Sequence, residues 1–222
     1  MILAAGRGER MRPLTDATPK PLLALCGRPI IEWTIERLVR AGFVDLVINH
    51  ADLGHLVEAA LGDGRRLGAS IRYSAERQPL ETAGGITNAL HLLGSDPFLA
   101  TNGDIYCDFD LASLRMRPLG RALAHLVLVA NPAHHPKGDF ALCDEEVRDD
   151  GAPRWTFSGI GLYRPELFKS VRAGDKAQLA PLLRAAMARG LVTGEIFGGE
   201  WHDIGTPGRL DQLSRSLGTR RT

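Results

Sequence analysis

The segment from Leu3 to Leu23 combines residue types that can bind a polyphosphate. Its Gly6 and Gly8 tolerate left-handed backbone conformations and let a ligand approach the main-chain N–H groups, which can hold phosphate oxygens. Cationic side chains that could neutralise those oxygens stand at Arg7, Arg10, Arg12 and Lys20. The segment therefore predicts a phosphate-binding turn after a short apolar run.

Two common phosphate-binding motifs have a different spacing. A Walker loop needs Gly, four residues and then Gly-Lys-Ser/Thr, whereas Glu9, Arg10 and Met11 follow Gly8. The dinucleotide-binding fingerprint needs a third glycine, and Glu9 or Met11 stands near its place. Neither motif accounts for the segment.

The segment instead resembles the signature of the sugar-1-phosphate nucleotidylyltransferases. That signature reads L-A-A-G-x-G-x-R-(M/L)-x-P-L-T and then P-K-P-L, and its two parts match Leu3–Thr15 and Pro19–Leu22. The resemblance implies transfer of a nucleotidyl group from a nucleoside triphosphate to a sugar 1-phosphate, without a covalent enzyme intermediate. It also implies that the nucleotide is bound by Ala4, Ala5, Gly6 and Gly8. An ordinary strand-to-helix turn with solvated arginines is the alternative.

Two cations carry the catalytic roles that the resemblance implies. Lys20 lies between Pro19 and Pro21, which restrict the backbone on both sides and so aim its side chain. By resemblance, Lys20 contacts the phosphates at the reacting centre and Arg10 stabilises the pyrophosphate that leaves. We expect Lys20→Ala to slow turnover by orders of magnitude while the protein still folds.

Two carboxylates are candidate ligands for Mg²⁺, which nucleotidyl transfer needs because both reactants are anionic. Asp104 ends an Asn-Gly-Asp triplet after a predicted strand, and Asp203 lies in W-H-D-I-G-T-P; both triplet and string match motifs of the resembled family. Asn102 of the triplet is assigned to the nucleotide. The alternatives are a turn-forming role for Asp104 and a turn or capping role for Asp203.

The stretch from Glu76 to Gly85 resembles the family's base-binding motif, E-x-x-P-L-G-T-A-G. Glu81 departs from it, because glycine is usual at that place. Glu76 can accept a hydrogen bond from a ring N–H of uracil or of guanine, so it does not choose between them. The residues assigned here to the nucleotide are Glu76, Glu81, Thr82 and Gly85. A polar loop between a strand and a helix is the alternative.

Residues for the sugar are indicated more weakly. Asn49 ends a predicted strand, and the others occupy places where the resembled family contacts its sugar; the assigned set is Asn49, Gly138, Asp139 and Ser158. His134, His135 and His202 lack a third ligand at zinc-like spacing, so we interpret them as surface or hydrogen-bonded histidines.

The elements that must position these residues follow an α/β pattern. Apolar runs alternate with helical patterns, which predicts a single Rossmann-like domain over residues 1–222, with a mostly parallel mixed sheet flanked by helices. Its nucleotide-binding half is about 1–110, its sugar-binding half is about 111–222, and no C-terminal β-helix is expected. Residues 131–150 are expected to be irregular. Predicted strands are Ile2–Ala4, Val44–Asn49, Ser70–Tyr73, Phe98–Thr101, Ala122–Ala130, Thr156–Tyr163 and Leu191–Phe197. Predicted helices are Pro29–Ala41, Leu53–Leu61, Gly84–Leu93, Leu111–Leu114, Ala180–Ala188 and Pro207–Leu217.

The strand ends determine where these motifs meet. In open α/β sheets ligands bind outside the carboxyl ends of the strands, so the residues just past Ala4, Asn49, Tyr73 and Thr101 are expected to share one cleft.

Composition excludes several function classes. A net charge of +1 gives no electrostatic case for nucleic acid, and 44% hydrophobic residues without a long apolar run argue against a membrane partner. Three distant cysteines do not form a disulfide framework. The short apolar start from Met1 to Ala5 lacks the features of a signal peptide, so a cytoplasmic protein is expected. We also expect a monomer or a small homo-oligomer.

Four shorter strings along the chain indicate one branch of the resembled family. V-I-N-H-A, L-E-T-A-G-G-I, N-P-A-H-H-P-K-G-D-F and T-F-S-G-I resemble the branch that transfers a uridylyl group from UTP to N-acetylmuramate 1-phosphate in cell-wall recycling. The alternative within the family is the mannose-1-phosphate guanylyltransferases. Outside catalysis, a nucleotide-sugar-binding regulatory subunit is the alternative, although it would not need both metal carboxylates. A glycosyltransferase with Asp108-Phe109-Asp110 as its metal motif is a further one.

Overall fold

The computed structural model describes residues 1–219, which form an α/β fold. The strands are β1 (Ile2–Leu3), β2 (Ala24–Leu25), β3 (Arg28–Pro29), β4 (Asp45–His50), β5 (Ser70–Ala75), β6 (Phe98–Asn102), β7 (Ile105–Cys107), β8 (Ala124–Val129), β9 (Phe140–Cys143), β10 (Glu146–Arg148), β11 (Arg154–Tyr163), β12 (Val192–Phe197) and β13 (Trp201–Asp203). The helices are α1 (Ile30–Arg40), α2 (Gly54–Leu61), α3 (Glu81–Leu93), α4 (Ala112–Arg115), α5 (Leu179–Met187) and α6 (Pro207–Thr219). Four 3₁₀ turns complete the described elements: Glu9–Met11, Lys20–Leu22, Arg65–Leu67 and Pro165–Phe168.

The chain divides into two compact units, each made of several segments. The first, here called the parallel unit, comprises residues 2–79, 102–115 and the described chain from 200 onward. The second, the mixed unit, comprises Met1, 80–101 and 116–199. The single domain and its two halves stay predictions.

The parallel unit is built on β1, β4 and β5, which pair in the order β5-β4-β1 and run in the same direction. Leu3 is in register with Asn49, and Asn49 with Ser74, so the carboxyl ends of the three strands are level. The middle strand is buried from Leu46 to His50 because neighbours cover it.

Helix α1 of this unit shows why a helix forms where it does. Its apolar residues recur on one face, and Ile30, Ile31, Ile35 and Leu38 are each at most 1% exposed. Gly42 ends the helix with φ 82°, a left-handed conformation that glycine adopts without strain.

A hydrophobic cluster of the parallel unit anchors the glycine-rich turn between β1 and β2. Met11 is fully buried and packs with apolar residues of the β2–β3 hairpin, α1, α6 and the segment before α6: Leu25, Ile30, Leu210, Leu213 and Ile204. The cluster therefore fixes one end of the glycine-rich turn to secondary structure rather than leaving it in solvent.

The mixed unit carries strands in the order β6-β11-β8-β12-β10-β9. β12 runs parallel to β8, whereas β11 is antiparallel to β6, β8 and β9, and β10 is antiparallel to β9 and β12. β8 is buried over its whole length, as expected of a strand with neighbours on both sides. The predicted α/β class with a mixed sheet flanked by helices is confirmed, with parallel pairing among β1, β4 and β5 of the first unit and antiparallel pairing prominent in the second.

A buried histidine lies on this central strand. His125 is fully buried, with Nδ1 2.9 Å from Thr193 Oγ1 and Nε2 3.0 Å from Glu195 Oε1. Burial lowers the pKa of His125, and the Arg117 guanidinium also lowers it, while Glu195 opposes the shift.

The expectation that residues 131–150 are irregular is wrong for β9 and β10. These short strands form an antiparallel hairpin in which Val147 pairs with Leu142, and Asp144 turns the chain with φ 53°. With four and three residues they are too short for the alternation that indicates a strand. No helix among residues 1–219 is long and apolar enough to cross a membrane.

Candidate active site

The structure distributes the predicted site residues over both units. The parallel unit contains Ala4, Ala5, Gly6, Gly8, Arg10, Lys20, Asn49, Glu76, Asn102, Asp104 and Asp203. The mixed unit contains Glu81, Thr82, Gly85, Gly138, Asp139 and Ser158. The set assigned to phosphate and metal therefore lies within the parallel unit.

Gly8 has the left-handed backbone conformation on which the glycine-rich turn depends. It has φ 66°, and its carbonyl accepts hydrogen bonds from Met11 N–H at 2.9 Å and Thr15 Oγ1 at 2.8 Å. A Cβ on Gly8 would lie 3.0 Å from Thr15 Cγ2 and 3.2 Å from Lys20 Cβ. Glycine is thus needed both for the backbone conformation and for the close approach of Lys20. Gly6 meets neither condition, since its backbone is not left-handed and nothing lies within 4 Å of its Cβ position.

The arginines of the turn differ in their surroundings. Arg7 pairs with Asp52 at 3.4 Å, and Arg12 pairs with Asp16 at 3.3 Å, all on the exposed surface. Arg10 is exposed, and within residues 1–219 no ion pair involves it. Of the three, Arg10 is the cation whose charge is available to a ligand.

Lys20 and Asp104 form an ion pair, although they are far apart in sequence. The Lys20 side chain is 11% exposed and the Asp104 side chain 32%. Gly103 lets the chain after β6 lie close to β1, because its N–H donates to Leu3 O at 2.9 Å and a Cβ there would lie 3.1 Å from both Ile2 Cγ2 and Leu3 O. The strand end therefore presents Asp104 directly to the lysine of the P-K-P-L motif.

A pair of three-residue strands brings the second carboxylate to the first. β13 is antiparallel to β7, with Asp203 in register with Ile105, and Ile204 N–H donates to Asp104 O at 3.0 Å. Asp104 and Asp203 thus lie on neighbouring backbone segments. The sequence did not predict these strands, because three residues are too few for a periodicity signal.

Arg209 holds the Asp203 carboxylate and was missed by the sequence reasoning. Its Nη1 lies 2.5 Å from Asp203 Oδ2, and its Nε lies 3.4 Å from Thr206 Oγ1. A Cβ on Gly205 would lie 2.7 Å from Arg209 Nη2, so the glycine of D-I-G-T-P makes room for the guanidinium. The available signal was a cation in the first turn of a helix, where the helix dipole disfavours it unless an anion is near.

The donor set of this site fits Mg²⁺. Among residues 1–219 no group of three or more His, Cys, Asp or Glu residues could hold a metal ion. Mg²⁺ commonly takes one or two protein carboxylates and completes its shell with water and substrate phosphates. Asp104 and Asp203 are two such carboxylates, each now paired with a cationic side chain, so the place accommodates positive charge.

Asn49 connects the carboxyl ends of three strands. Its Oδ1 accepts Ala4 N–H at 2.9 Å, and its Nδ2 donates to Glu76 Oε1 at 2.6 Å. Asn49 is 3% exposed and Glu76 is 7% exposed. The expected convergence of residues past Ala4 and Asn49 is found, and it includes Glu76, which follows β5.

In the mixed unit, α3 begins at Glu81 with φ 63°. This left-handed conformation explains why glycine is usual at that place in the resembled motif. The Glu81 carboxylate pairs with Lys176 at 3.5 Å. Gly84 packs against the same segment, because its N–H donates to Ala177 O at 3.0 Å and a Cβ there would lie 2.4 Å from Asp175 O. Thr82 is partly buried and Gly85 is buried on the following turn.

The other three residues assigned to the sugar, Gly138, Asp139 and Ser158, lie around β11. Asp139 accepts Phe157 N–H at 2.8 Å through Oδ2, and its Oδ1 is 3.1 Å from His135 Nε2. Gly138 has φ 63° and lies against Arg154. Ser158 is buried, and its Oγ accepts Ile160 N–H at 3.1 Å beside a register shift of β11. These contacts hold the backbone of the loop and strand in place.

Two features considered from the sequence have structural roles. Asp108 Oδ1 accepts Glu200 N–H at 2.7 Å, and Asp110 Oδ1 accepts Ala112 N–H at 3.0 Å at the start of α4. These bonds favour turn and capping roles over a glycosyltransferase metal motif. Burial raises the pKa of the Cys107 thiol, which keeps it protonated and unreactive.

Known proteins of similar sequence include two sugar-1-phosphate nucleotidylyltransferases. The family model described as nucleotidyl transferase matches residues 1–140. The chain is 51% identical, over 98% of its length and 97% of the relative's, to the N-acetylmuramate alpha-1-phosphate uridylyltransferase of Neisseria meningitidis. It is 38% identical to the mannose-1-phosphate guanylyltransferase of Mycobacterium tuberculosis, over 93% of this chain and 61% of that protein.

Structural similarity supports the fold. A crystal structure described as that of a glucose-1-phosphate thymidylyltransferase from Bacillus anthracis superposes with a TM-score of 0.85, covering 97% of this chain and 93% of that one at 22% identity. At that identity the likeness concerns the fold alone. The family model and the nearly full-length relative carry the assignment: the chain belongs to the nucleotidyl transferase family, and its predicted place among the sugar-1-phosphate nucleotidylyltransferases is confirmed.

Proposed function

We propose that the protein transfers the uridylyl group of UTP to N-acetylmuramate 1-phosphate, giving UDP-N-acetylmuramate and pyrophosphate. The observation that carries the proposal is the 51% identity, over nearly the whole of both chains, to a uridylyltransferase named for this sugar. The mannose-1-phosphate guanylyltransferase is less similar, and this chain spans only 61% of its length.

The proposed reaction is an in-line attack of the sugar 1-phosphate oxygen on the α-phosphorus of UTP. Lys20, held beside Asp104, places its ammonium group near the α-phosphate and offsets the charge that develops there. Arg10, which is exposed on the phosphate-binding turn, receives the β- and γ-phosphates that leave as pyrophosphate. No covalent enzyme intermediate forms.

Mg²⁺ is the proposed cofactor, with Asp104 and Asp203 as its protein ligands. When bound, it neutralises phosphate charge and helps align the two reactants. Both carboxylates are already oriented by cations, Asp104 by Lys20 and Asp203 by Arg209, so little rearrangement of the chain is needed. The presence of Arg10, Lys20, Asp104 and Asp203 together argues against a regulatory subunit that only binds nucleotide sugars.

The proposed product places the protein in peptidoglycan recycling, in the cytoplasm, where UTP is available. Glu76 is proposed to accept the ring N–H of uracil. The remaining assignments to nucleotide and sugar, Glu81, Thr82, Gly85, Gly138, Asp139 and Ser158, stay predictions.

The proposal is tested by pyrophosphate release from a matrix of donors and acceptors. UTP, GTP, dTTP and CTP are each combined with the 1-phosphates of N-acetylmuramate, N-acetylglucosamine, glucose and mannose, in the presence of MgCl₂. We expect the highest kcat/KM for UTP with N-acetylmuramate 1-phosphate, and loss of activity when EDTA removes the metal. Strong activity only with GTP and mannose 1-phosphate would overturn the proposal.

A further inference from the structure

The buried link from Ala4 through Asn49 to Glu76 assigns a role to Asn49. Its amide uses an acceptor toward the Ala4 N–H, at 2.9 Å, and a donor toward the Glu76 carboxylate, at 2.6 Å. A side-chain amide supplies both a donor and an acceptor, whereas an ionised Asp supplies only acceptors and Leu supplies neither. An amide side chain is therefore suited to make both contacts at this position.

The same contacts fix the direction of the Glu76 carboxylate. The Ala4 N–H anchors the Asn49 amide to the end of β1, and Glu76 N–H donates to His50 O at 2.8 Å, which fixes the backbone of Glu76. With Asn49 3% exposed and Glu76 7% exposed, there is little room for another arrangement of the pair. Both the Oδ1 and the Nδ2 of Asn49 are therefore engaged in this link.

We infer that Asn49 is a positioning residue for nucleobase recognition, acting through Glu76, and that it is not a sugar contact. The inference rests on the proposed function, in which Glu76 accepts the ring N–H of uracil. It replaces the expectation that Asn49 binds the sugar.

The ratio of the affinities for UTP and CTP measures this positioning role of Asn49. Uracil presents N3–H to a carboxylate acceptor, whereas cytosine presents a lone pair at N3, which a carboxylate repels. A Glu76 carboxylate held in a fixed orientation therefore favours UTP over CTP, and a carboxylate that can rotate discriminates less between the two nucleotides. Neither the stability of the fold nor the affinity for the sugar changes this ratio.

The experiment measures dissociation constants of UTP and CTP by calorimetry, with MgCl₂ and without sugar, for wild type, Asn49→Ser, Glu76→Gln and the double variant. We expect Asn49→Ser to lower the UTP preference by about tenfold, as loss of one charge-assisted hydrogen bond does. Because Asn49 acts through Glu76, the double variant loses no more than Glu76→Gln alone. The KM for N-acetylmuramate 1-phosphate should stay within about twofold of wild type.

A control variant separates positioning from general destabilisation. Glu58→Ala removes the carboxylate whose Oε1 lies 2.6 Å from His50 Nε2, outside the link from Ala4 to Glu76, and should lower thermal stability while the UTP:CTP ratio is kept. If Asn49→Ser lowers only stability, or raises the sugar KM with the nucleotide ratio intact, the inference is wrong. It is also wrong if wild type does not discriminate between the nucleotides. If wild type prefers UTP in the expected way but does not turn over N-acetylmuramate 1-phosphate, the proposed sugar fails while the role of Asn49 stands.

Discussion

Replacement of Glu81 tests whether the first residue of α3 is held in a strained backbone conformation. At φ 63° an L side chain costs about 1–2 kcal/mol relative to its preferred conformations, and glycine avoids that cost. The carboxylate offsets part of the strain. Its ion pair with Lys176 spans 3.5 Å between side chains that are 41% and 63% exposed, so it contributes at most about 0.5 kcal/mol. Its place at a helix N-terminus contributes about 0.3–1 kcal/mol.

These magnitudes give a definite order for two variants. Glu81→Ala loses the carboxylate and keeps the strain, so it is expected to be less stable than wild type by about 1 kcal/mol. Glu81→Gly loses the same carboxylate but relieves the strain, with part of that relief cancelled by the greater freedom of glycine in the unfolded chain. We therefore expect the free energy of unfolding of Glu81→Gly to be about 1 kcal/mol higher than that of Glu81→Ala.

Urea denaturation of the two variants measures this difference, and Ala185→Gly supplies the comparison in an ordinary helix. Ala185 is exposed in α5, where glycine should destabilise by about 1 kcal/mol. The sign of the Ala-to-Gly change is thus expected to be opposite at the two positions. If Ala is the more stable residue at 81 as well, the backbone there is not left-handed and the explanation for glycine in the motif fails.

Three further outcomes are expected. Met11→Ala, which empties a fully buried site under the phosphate-binding turn, should lower the free energy of unfolding by about 2–5 kcal/mol, and a loss below about 1 kcal/mol would contradict the packing. Because the folded-state pKa of His125 is lowered below the unfolded value of about 6.5, the stability it contributes is present above that pH and declines as pH falls below it. Denaturation from pH 7.5 to 5.5 should show this decline, and His125→Asn should reduce it; an equal decline in both proteins would contradict the assignment to His125. Arg209→Met, which releases Asp203, should weaken Mn²⁺ binding measured by electron paramagnetic resonance by about tenfold or more, with unchanged binding contradicting its positioning role.

Much of the parallel unit could be predicted from the sequence because its signals are local. Alternating apolar runs placed β4 and β5 within two residues of their observed bounds, and the apolar face of α1 is the buried one. The rule that ligands bind at the carboxyl ends of parallel strands placed Asn49 and Glu76 together. These features depend on periodicity and strand direction, which a sequence carries directly.

The missed features depend on partners that are distant in sequence. β7 and β13 have three residues each, and only their pairing brings Asp203 beside Asp104. Arg209 matters because Gly205 leaves space for its guanidinium, which is a property of the folded turn and not of the motif letters. Asn49 was correctly placed at a strand end, but its role could be inferred only once the structure showed that its amide contacts Ala4 and Glu76.

We propose that the Lys20–Asp104 pair of the parallel unit is essential for uridylyl transfer. The most direct test of this proposal is a single-turnover reaction of enzyme with UTP radiolabelled at the α-phosphate, N-acetylmuramate 1-phosphate and MgCl₂, comparing wild type with Asp104→Asn. We expect wild type to place the label in UDP-N-acetylmuramate with one pyrophosphate released, and the variant to be slower by orders of magnitude at an unchanged circular-dichroism spectrum. A near-normal rate in Asp104→Asn would contradict the role of the Lys20–Asp104 pair, and the absence of labelled product from wild type would contradict the proposed reaction.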